Sequence, residues 1–314
     1  MESINLMKKH SFVSYLFWTS AVALAGLIVS FATAAAAKAA HRYISSISAP
    51  FVYKAEWFPF SVIEKTNAKK PSLSSQGYLI VDIQTGEVIL DKNKNKQFPV
   101  ASITKLMTAL VSLEKINQSQ IAIVPPEALI GENQSIRGLS EGEVISTSSL
   151  LYPLLLESSN AAAKTLAGHI GTKNFVNHMN GKADAIGLSD TFFADSSGLS
   201  SKNISTPEDI SKFISYIFKN KKQILDITKK KEFEEGMKKW VNGDKFSGLE
   251  NFLGGKTGYT DNAGKTFAGI FSLPSAETDS SNGEASPREV AIIILKSQDR
   301  DDDVIKILDY LQKS

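Results

Sequence analysis

Three short stretches of this 314-residue sequence hold side chains whose types and spacing suit acyl transfer. The first is Ser102-Ile103-Thr104-Lys105. At i and i+3 on a helix the Ser102 and Lys105 side chains share one face. A serine hydroxyl is a weak nucleophile until a neighbour removes its proton. Lys105 can remove it if desolvation or a second cation lowers the lysine's pKa. The helix start also offers free backbone N–H groups to a developing oxyanion. An ordinary cap serine followed by a surface lysine has the same spelling. The second stretch is Ser158-Ser159-Asn160, between two helical segments. Here a hydroxyl can relay a proton and an amide can hold a substrate amide; read alone, it is a polar connection. The third is Lys256-Thr257-Gly258, after Gly254-Gly255 and before Tyr259-Thr260. A lysine beside a hydroxyl suits a substrate carboxylate, and a glycine lets another backbone come close. Read alone, it is a glycine-rich turn with a solvated lysine.

Composition narrows the chemistry. The chain has no cysteine, which excludes disulfides, a thiol nucleophile, iron–sulfur clusters and Cys-ligated zinc. It has four histidines, and two of these, His10 and His41, flank an apolar N-terminal run. A histidine-based triad or metal site has only His169 and His178 to draw on, so no metal or other cofactor is expected. A hydrolase built from this chain is expected to use a hydroxyl nucleophile and a base other than histidine. Lys+Arg 35 against Asp+Glu 33 gives a net charge of +2, without the basic excess of a nucleic-acid binder.

The elements that must position these residues are readable from periodicity. Tyr78 to Asp82 reads as a strand, Gln84-Thr85-Gly86 as a turn and Glu87 to Leu90 as the returning strand. Leu106, Leu110 and Leu113 recur at helical spacing after Ser102. The section from Ser146 to Ile227 reads as mostly helical, with Thr206 capping a helix that Pro207 opens. Lys265 to Ser272 and Glu289 to Leu295 read as strands, with Pro274 to Pro287 a mobile hairpin loop between them. Asp301 to Lys313 closes the chain as an amphipathic helix with Val304, Ile307, Leu308 and Leu311 on one face. Strands at both ends and helices between them predict an α+β fold: an antiparallel sheet built from the two chain ends, flanked by helices, with an inserted helical region.

Phe12 to Ala37 carries no charge and is long enough for a membrane-spanning helix, which needs about 20 apolar residues. Its length favours a retained anchor, and the small-residue stretch Ala32 to Ala36 also suits signal cleavage. Either reading carries the rest of the chain across a membrane. Residues 1–41 are therefore taken as a signal anchor or signal peptide, 42–75 as a linker and 76–314 as the catalytic domain. The linker's aromatics, Phe51, Tyr53, Trp57, Phe58 and Phe60, suit either a membrane interface or packing on the domain.

The order S-x-x-K, S-x-N, K-T-G resembles that of the penicillin-binding and β-lactamase group. From about Gly77 onward the chain resembles the serine-type D-Ala-D-Ala carboxypeptidases, the low-molecular-mass penicillin-binding proteins. Beyond the three motifs, the likeness is carried by Val81 to Val88, Pro99-Val100-Ala101-Ser102 and Gly138-Leu139 to Glu143. It continues through Met179-Asn180, Ala185 to Leu188, Thr191 to Asp195, Ser197-Gly198-Leu199 and Ser205-Thr206 with Asp209. Departures from the family pattern are Ala161 after Asn160 where Asp is usual, Pro153 where Gly is usual, and a shortened approach to K-T-G over Phe246 to Leu253.

The resemblance implies that Ser102 attacks the bond between the last two D-Ala residues of a peptidoglycan stem peptide and that Lys105 accepts its proton. Ser158 then passes a proton to the leaving D-Ala with help from Lys256, Asn160 holds the peptide, and water hydrolyses the acyl-enzyme. It implies an oxyanion pair from the N–H groups of Ser102 and Tyr259. Lys256 and Thr257 would face the terminal carboxylate with Gly258 beside them, and Arg300, counted back from Leu308-Asp309-Tyr310, aligns with a family arginine near that carboxylate. β-Lactams are the implied inhibitors. A D,D-endopeptidase is the main alternative. A class A β-lactamase fits less well, because the stretch Gly187 to Thr206 lacks the glutamate that class uses for deacylation. A tethered wall-binding protein without activity would not need all five of Ser102, Lys105, Ser158, Asn160 and Lys256.

Overall fold

The computed structural model describes residues 69–130, 138–278 and 285–313, with side chains outside 275–286. The N-terminal apolar run and most of the linker lie outside the described residues. Among the described residues no helix is long and apolar enough to cross a membrane. One five-stranded antiparallel sheet forms the frame. Its strands are β1 (Gly77–Asp82), β2 (Val88–Lys92), β9 (Phe252–Thr260), β10 (Gly264–Thr278) and β11 (Ala285–Ser297), ordered β2-β1-β11-β10-β9. The two chain ends meet in its centre: Gly77 to Asp82 pair with Leu295 to Val290. Between them lie the short pairs β3 (Phe98–Pro99) with β6 (Ile204–Ser205), β4 (Ile121–Ile123) with β5 (Val144–Ser146), and β7 (Glu232–Glu235) with β8 (Lys238–Val241). The helices are α1 (Thr104–Lys115), α2 (Leu151–Leu155), α3 (Asn160–His169), α4 (Thr172–Ala185), α5 (Pro207–Asn220), α6 (Lys222–Thr228) and α7 (Arg300–Gln312).

The central strands are apolar at successive positions because both sheet faces are covered. Side chains alternate along a strand. Leu79, Val81, Ala291, Ile293 and Leu295 enter the large core under α1 to α6. Ile80, Val290, Ile292 and Ile294 enter a second core with Val304, Ile307 and Leu308 of α7. Four phenylalanines thicken that second layer. Phe246 meets Phe267 edge-on at 5.3 Å between centroids, and Phe252 meets Phe271 at 5.2 Å. Tilted and edge contacts of this kind suit the ring quadrupoles. They also couple β9 to β10 behind the residues of the third motif.

The α+β architecture agrees with the periodicity, and Thr206 caps α5 by accepting the Asp209 N–H at 3.1 Å, with Pro207 at its first position. The hairpin expected over Pro274 to Pro287 has longer strands than periodicity suggested: β10 and β11 run into it, pairing Pro274 with Pro287 and Thr278 with Ala285. The β7–β8 hairpin was not anticipated. Its Glu and Lys residues read as polar surface, yet one of its faces stacks Phe233 on Tyr152 at 3.5 Å and buries Trp240.

The chain enters the sheet under restraint. Ser74 donates its N–H and hydroxyl to the two oxygens of Asp303, at 2.7 and 3.0 Å, and Ser297 Oγ donates to the same carboxylate at 2.7 Å. Asp303 is fully buried in the first turn of α7, where the helix dipole favours an anion. Replacing it with alanine strands these donors. Asp303→Ala is expected to cost roughly 2–4 kcal/mol in urea unfolding; a change below about 0.5 kcal/mol would remove the clasp from the account of stability.

Candidate active site

Ser102 lies on a 3₁₀ turn, Ala101–Ile103, that leads directly into α1. The chain reaches it through Val100, whose N–H donates to Asn203 C=O at 3.0 Å. Ala101 then takes a left-handed conformation with φ 48°. That is unfavourable for a residue with a Cβ and persists only where surroundings enforce it. One turn on, Lys105 is fully buried. Its Nζ lies 3.0 Å from Ser102 Oγ, 2.7 Å from Asn160 Oδ1 and 2.6 Å from Ser197 C=O, each of which accepts from the ammonium. Helical spacing alone would leave such a lysine in water. The fold closes over it.

Asn160 opens α3, and the residues before it form the expected connection from α2. Ser158 has a left-handed φ of 60°, and Ser159 caps α3 by accepting the Ala162 N–H at 3.1 Å. The cap aligns the helix start and leaves the Asn160 side chain to reach Lys105. Ser158 stands two residues before that contact.

The third motif lies on β9, the edge strand, and not in a turn. Gly258 packs directly on the nucleophile turn: a Cβ there would sit 2.7 Å from Ser102 N and 2.6 Å from Thr266 Oγ1. Thr266, on the neighbouring strand, donates its hydroxyl to Val100 C=O at 3.2 Å. Lys256 is buried and donates to Thr257 C=O at 3.1 Å. Burial pulls its pKa down to about 8; Asp244 pushes it up and Arg300 pushes it down. Arg300, at the start of α7, donates Nη1 to Gly258 C=O at 2.8 Å. That contact puts the guanidinium beside the third motif. Tyr259, the next residue, is an exposed side chain whose hydroxyl donates to Asp261 at 3.0 Å.

Two acidic residues were absent from the candidate list. Asp244 is buried near Lys256 and Arg300; burial raises its pKa against the Phe246 N–H bond and the two cations. Asp195 anchors the loop that presents Ser197 to Lys105. Burial works against its charge, but the N–H groups of Ser200, Gly198 and Ser197 and the Ser197 hydroxyl outweigh burial and hold the carboxyl below its usual range. No spacing signal marks either residue, because both act through chain segments distant in sequence.

The arrangement joins a hydroxyl, a buried amine, an amide and two cations around an edge strand, which suits acyl transfer to and from a carboxylate-bearing peptide. The family model described as D-alanyl-D-alanine carboxypeptidase matches residues 64–272. A D-alanyl-D-alanine endopeptidase of Escherichia coli is 36% identical over 155 residues, 48% of this chain and 49% of that protein. The carboxypeptidase DacB2 of Mycobacterium tuberculosis is 30% identical over 210 residues, 63% of this chain and 71% of that protein. The chain spans about half the length of the endopeptidase relatives of Escherichia coli and Pseudomonas aeruginosa, 49% and 47%. Among solved structures, a D-alanyl-D-alanine carboxypeptidase of Mycobacterium tuberculosis superposes with TM-score 0.67 at 26% identity, covering 79% of this chain and 94% of that one. The fold is also that of penicillin-binding protein D2 of Listeria monocytogenes, TM-score 0.64 at 23% identity, covering 78% of this chain and 99% of that one.

The contact at Gly258 generates a test. Gly258→Ala forces β9 away from the Ser102 turn, since the intruding neighbours include backbone. Labelling of Ser102 by a fluorescent penicillin is expected to slow by about 100-fold. Labelling at the wild-type rate would show that β9 and the turn are not held together for chemistry.

Proposed function

This chain belongs to the D-alanyl-D-alanine carboxypeptidase family, and from that premise we propose that it is a serine carboxypeptidase that removes the terminal D-Ala from peptidoglycan stem peptides. The observation that carries the reading is the buried Lys105 Nζ, 3.0 Å from Ser102 Oγ. As a free amine, Lys105 accepts the hydroxyl proton across that same separation while Ser102 Oγ bonds to the carbonyl carbon between the two D-Ala residues. The N–H groups of Ser102 and Tyr259 hold the resulting oxyanion. The carbon–nitrogen bond then breaks. Ser158 hands the leaving amine its proton and takes back the one that Lys105 accepted, with the Lys256 ammonium assisting, and free D-Ala departs. Water adds to the acyl-enzyme by the reverse path, giving the shortened peptide's carboxylate and regenerating Ser102. Asn160 orients the peptide, and Lys256, Thr257 and Arg300 take its terminal carboxylate beside Gly258.

The same nucleophile accounts for β-lactams as inhibitors, since their strained amide presents a similar carbonyl beside a carboxylate. The residues between Phe12 and Ala37 would hold the domain outside the cytoplasm, as a membrane anchor or as a signal that is removed. A second reading, endopeptidase cleavage of peptide cross-links, is favoured by one observation: relatives at 36% and 38% identity carry that name.

The enzyme is incubated with labelled penicillin, then with a pentapeptide ending in D-Ala-D-Ala and with a cross-linked dimer. A stable adduct lost in Ser102→Ala, with release of D-Ala, is the expected result. Lys105→Arg is expected to lose acylation, because arginine stays protonated. Faster cleavage of the dimer than of the pentapeptide selects the endopeptidase, and absence of any adduct ends the serine mechanism.

Lys256 predicts a pH dependence. Its ammonium is present below a pKa of about 8 and is lost above it. Binding of the D-Ala-D-Ala peptide to Ser102→Ala protein is therefore expected to weaken several-fold between about pH 7 and pH 9. A flat Kd over that range would take Lys256 out of carboxylate recognition.

A further inference from the structure

Beside the nucleophile, the densest set of hydrogen bonds converges on a carboxylate that none of the three motifs contains. Asp195 Oδ1 accepts from the Ser197 N–H at 2.7 Å, the Ser197 hydroxyl at 2.9 Å and the Gly198 N–H at 2.6 Å. Its Oδ2 accepts from the Ser200 N–H at 2.7 Å and Asn203 Nδ2 at 3.1 Å. The loop from 195 to 203 is thus wound around one anion. Charge-assisted bonds of this kind are stronger than neutral ones, and here they substitute for a regular backbone ladder.

That loop meets the nucleophile region at three places. Ser197 C=O accepts from Lys105 Nζ at 2.6 Å. Asn203 C=O accepts from the Val100 N–H at 3.0 Å. Gly198, with φ +87°, lies so close to Ala101 that a Cβ would sit 2.1 Å from its carbonyl oxygen. Lys105 is fully buried. Its amine must point where fixed acceptors allow, so the position of the Ser197 carbonyl governs the direction of Nζ toward Ser102 Oγ.

We infer that Asp195 is a positioning residue for acylation: its carboxylate sets the Ser197 carbonyl that aims the Lys105 amine at Ser102. The inference rests on the reading of Lys105 as the base. A carboxylate is required because both oxygens face donors. Asparagine would turn an N–H₂ group toward N–H groups, and glutamate would displace both oxygens by a methylene.

The test separates acylation from binding. The penicillin acylation rate constant and the non-covalent dissociation constant are measured for each variant, with Tm recorded alongside. Asp195→Asn is expected to lower the acylation constant by about 30-fold or more, with binding within about twofold of wild type. Ser197→Ala removes only one of the five bonds and is expected to lose about three- to fivefold. Thr108→Val is the control. Thr108 Oγ1 donates to Ser196 C=O at 2.6 Å, so the change loosens the same loop without touching the bonds to Asp195. It is expected to lower Tm and leave acylation within about twofold.

Asp195→Asn acylating within about twofold of wild type would overturn the proposal. Should that variant not fold, Ser197→Ala at the wild-type rate does the same. A loss in Thr108→Val equal to that in Asp195→Asn also overturns it, because general loosening would then suffice. Lys105→Ala tests the premise separately: wild-type acylation there rejects Lys105 as base, whatever Asp195 does.

Discussion

A buried ammonium or amine has to find its hydrogen-bond partners inside the protein, and around Ser102 that need dictates the structure. Removing Lys105 from water is costly unless fixed acceptors replace the solvent. The acceptors come from separate parts of the chain: Ser102 is 3 residues away, Asn160 is 55 and Ser197 is 92. The pocket therefore forms only once α1, the start of α3 and the loop after Asp195 have docked. Folding and assembly of the site are one event here, and the amine ends up 3.0 Å from the Ser102 hydroxyl.

The sheet supplies the rigidity that this arrangement requires. Because β1 and β11 are buried on both faces, β10 and β9 are carried on a stiff central pair. The phenylalanine layer fixes β9 from behind, and Arg300 ties α7 to it through Gly258 C=O. The cations of the third motif are held differently from Lys105. Burial pulls the Lys256 pKa down to about 8, with Asp244 supporting its charge and Arg300 opposing it. The site thus places a cation that titrates near pH 8 beside the strand edge.

Much of this was legible before any coordinates, for identifiable reasons. The S-x-x-K spacing is local, and a helix converts it directly into proximity. The α+β order follows from a change of hydrophobic pattern, from a short apolar run at Tyr78 to Asp82 to helical spacing after Ser102. The contact between Arg300 and Gly258 is not local. The sequence offered only the family-like alignment of Arg300, counted back from Leu308-Asp309-Tyr310, and no sign of this contact. Asp195 ends the family-like stretch Thr191 to Asp195, but that likeness gave it no role, and Asp244 carried no signal. Their neighbours become meaningful only when the sheet and loop bring them to the lysines. The β7–β8 hairpin was hidden for a similar reason: its Glu–Lys pairs dominate the composition, and the face that packs Phe233 and Trp240 is visible only against Tyr152.

The unfavourable backbone at Ala101 and the glycine at 198 are one constraint seen from two sides. A left-handed alanine at φ 48° costs on the order of 1–2 kcal/mol. It persists because Val100, immediately before it, is held at both its backbone groups: its N–H donates to Asn203 C=O and its C=O accepts from Thr266 Oγ1. The resulting turn pushes the Ala101 carbonyl into the loop, and only a residue without a Cβ can receive it: any side chain at 198 would begin 2.1 Å from that oxygen. On the opposite side, Gly258 leaves room for Ser102 N in the same way. The serine is presented by a strained turn clamped between two glycines. A more relaxed turn would release the strain, and it would also withdraw Ser102 from the buried Lys105 amine.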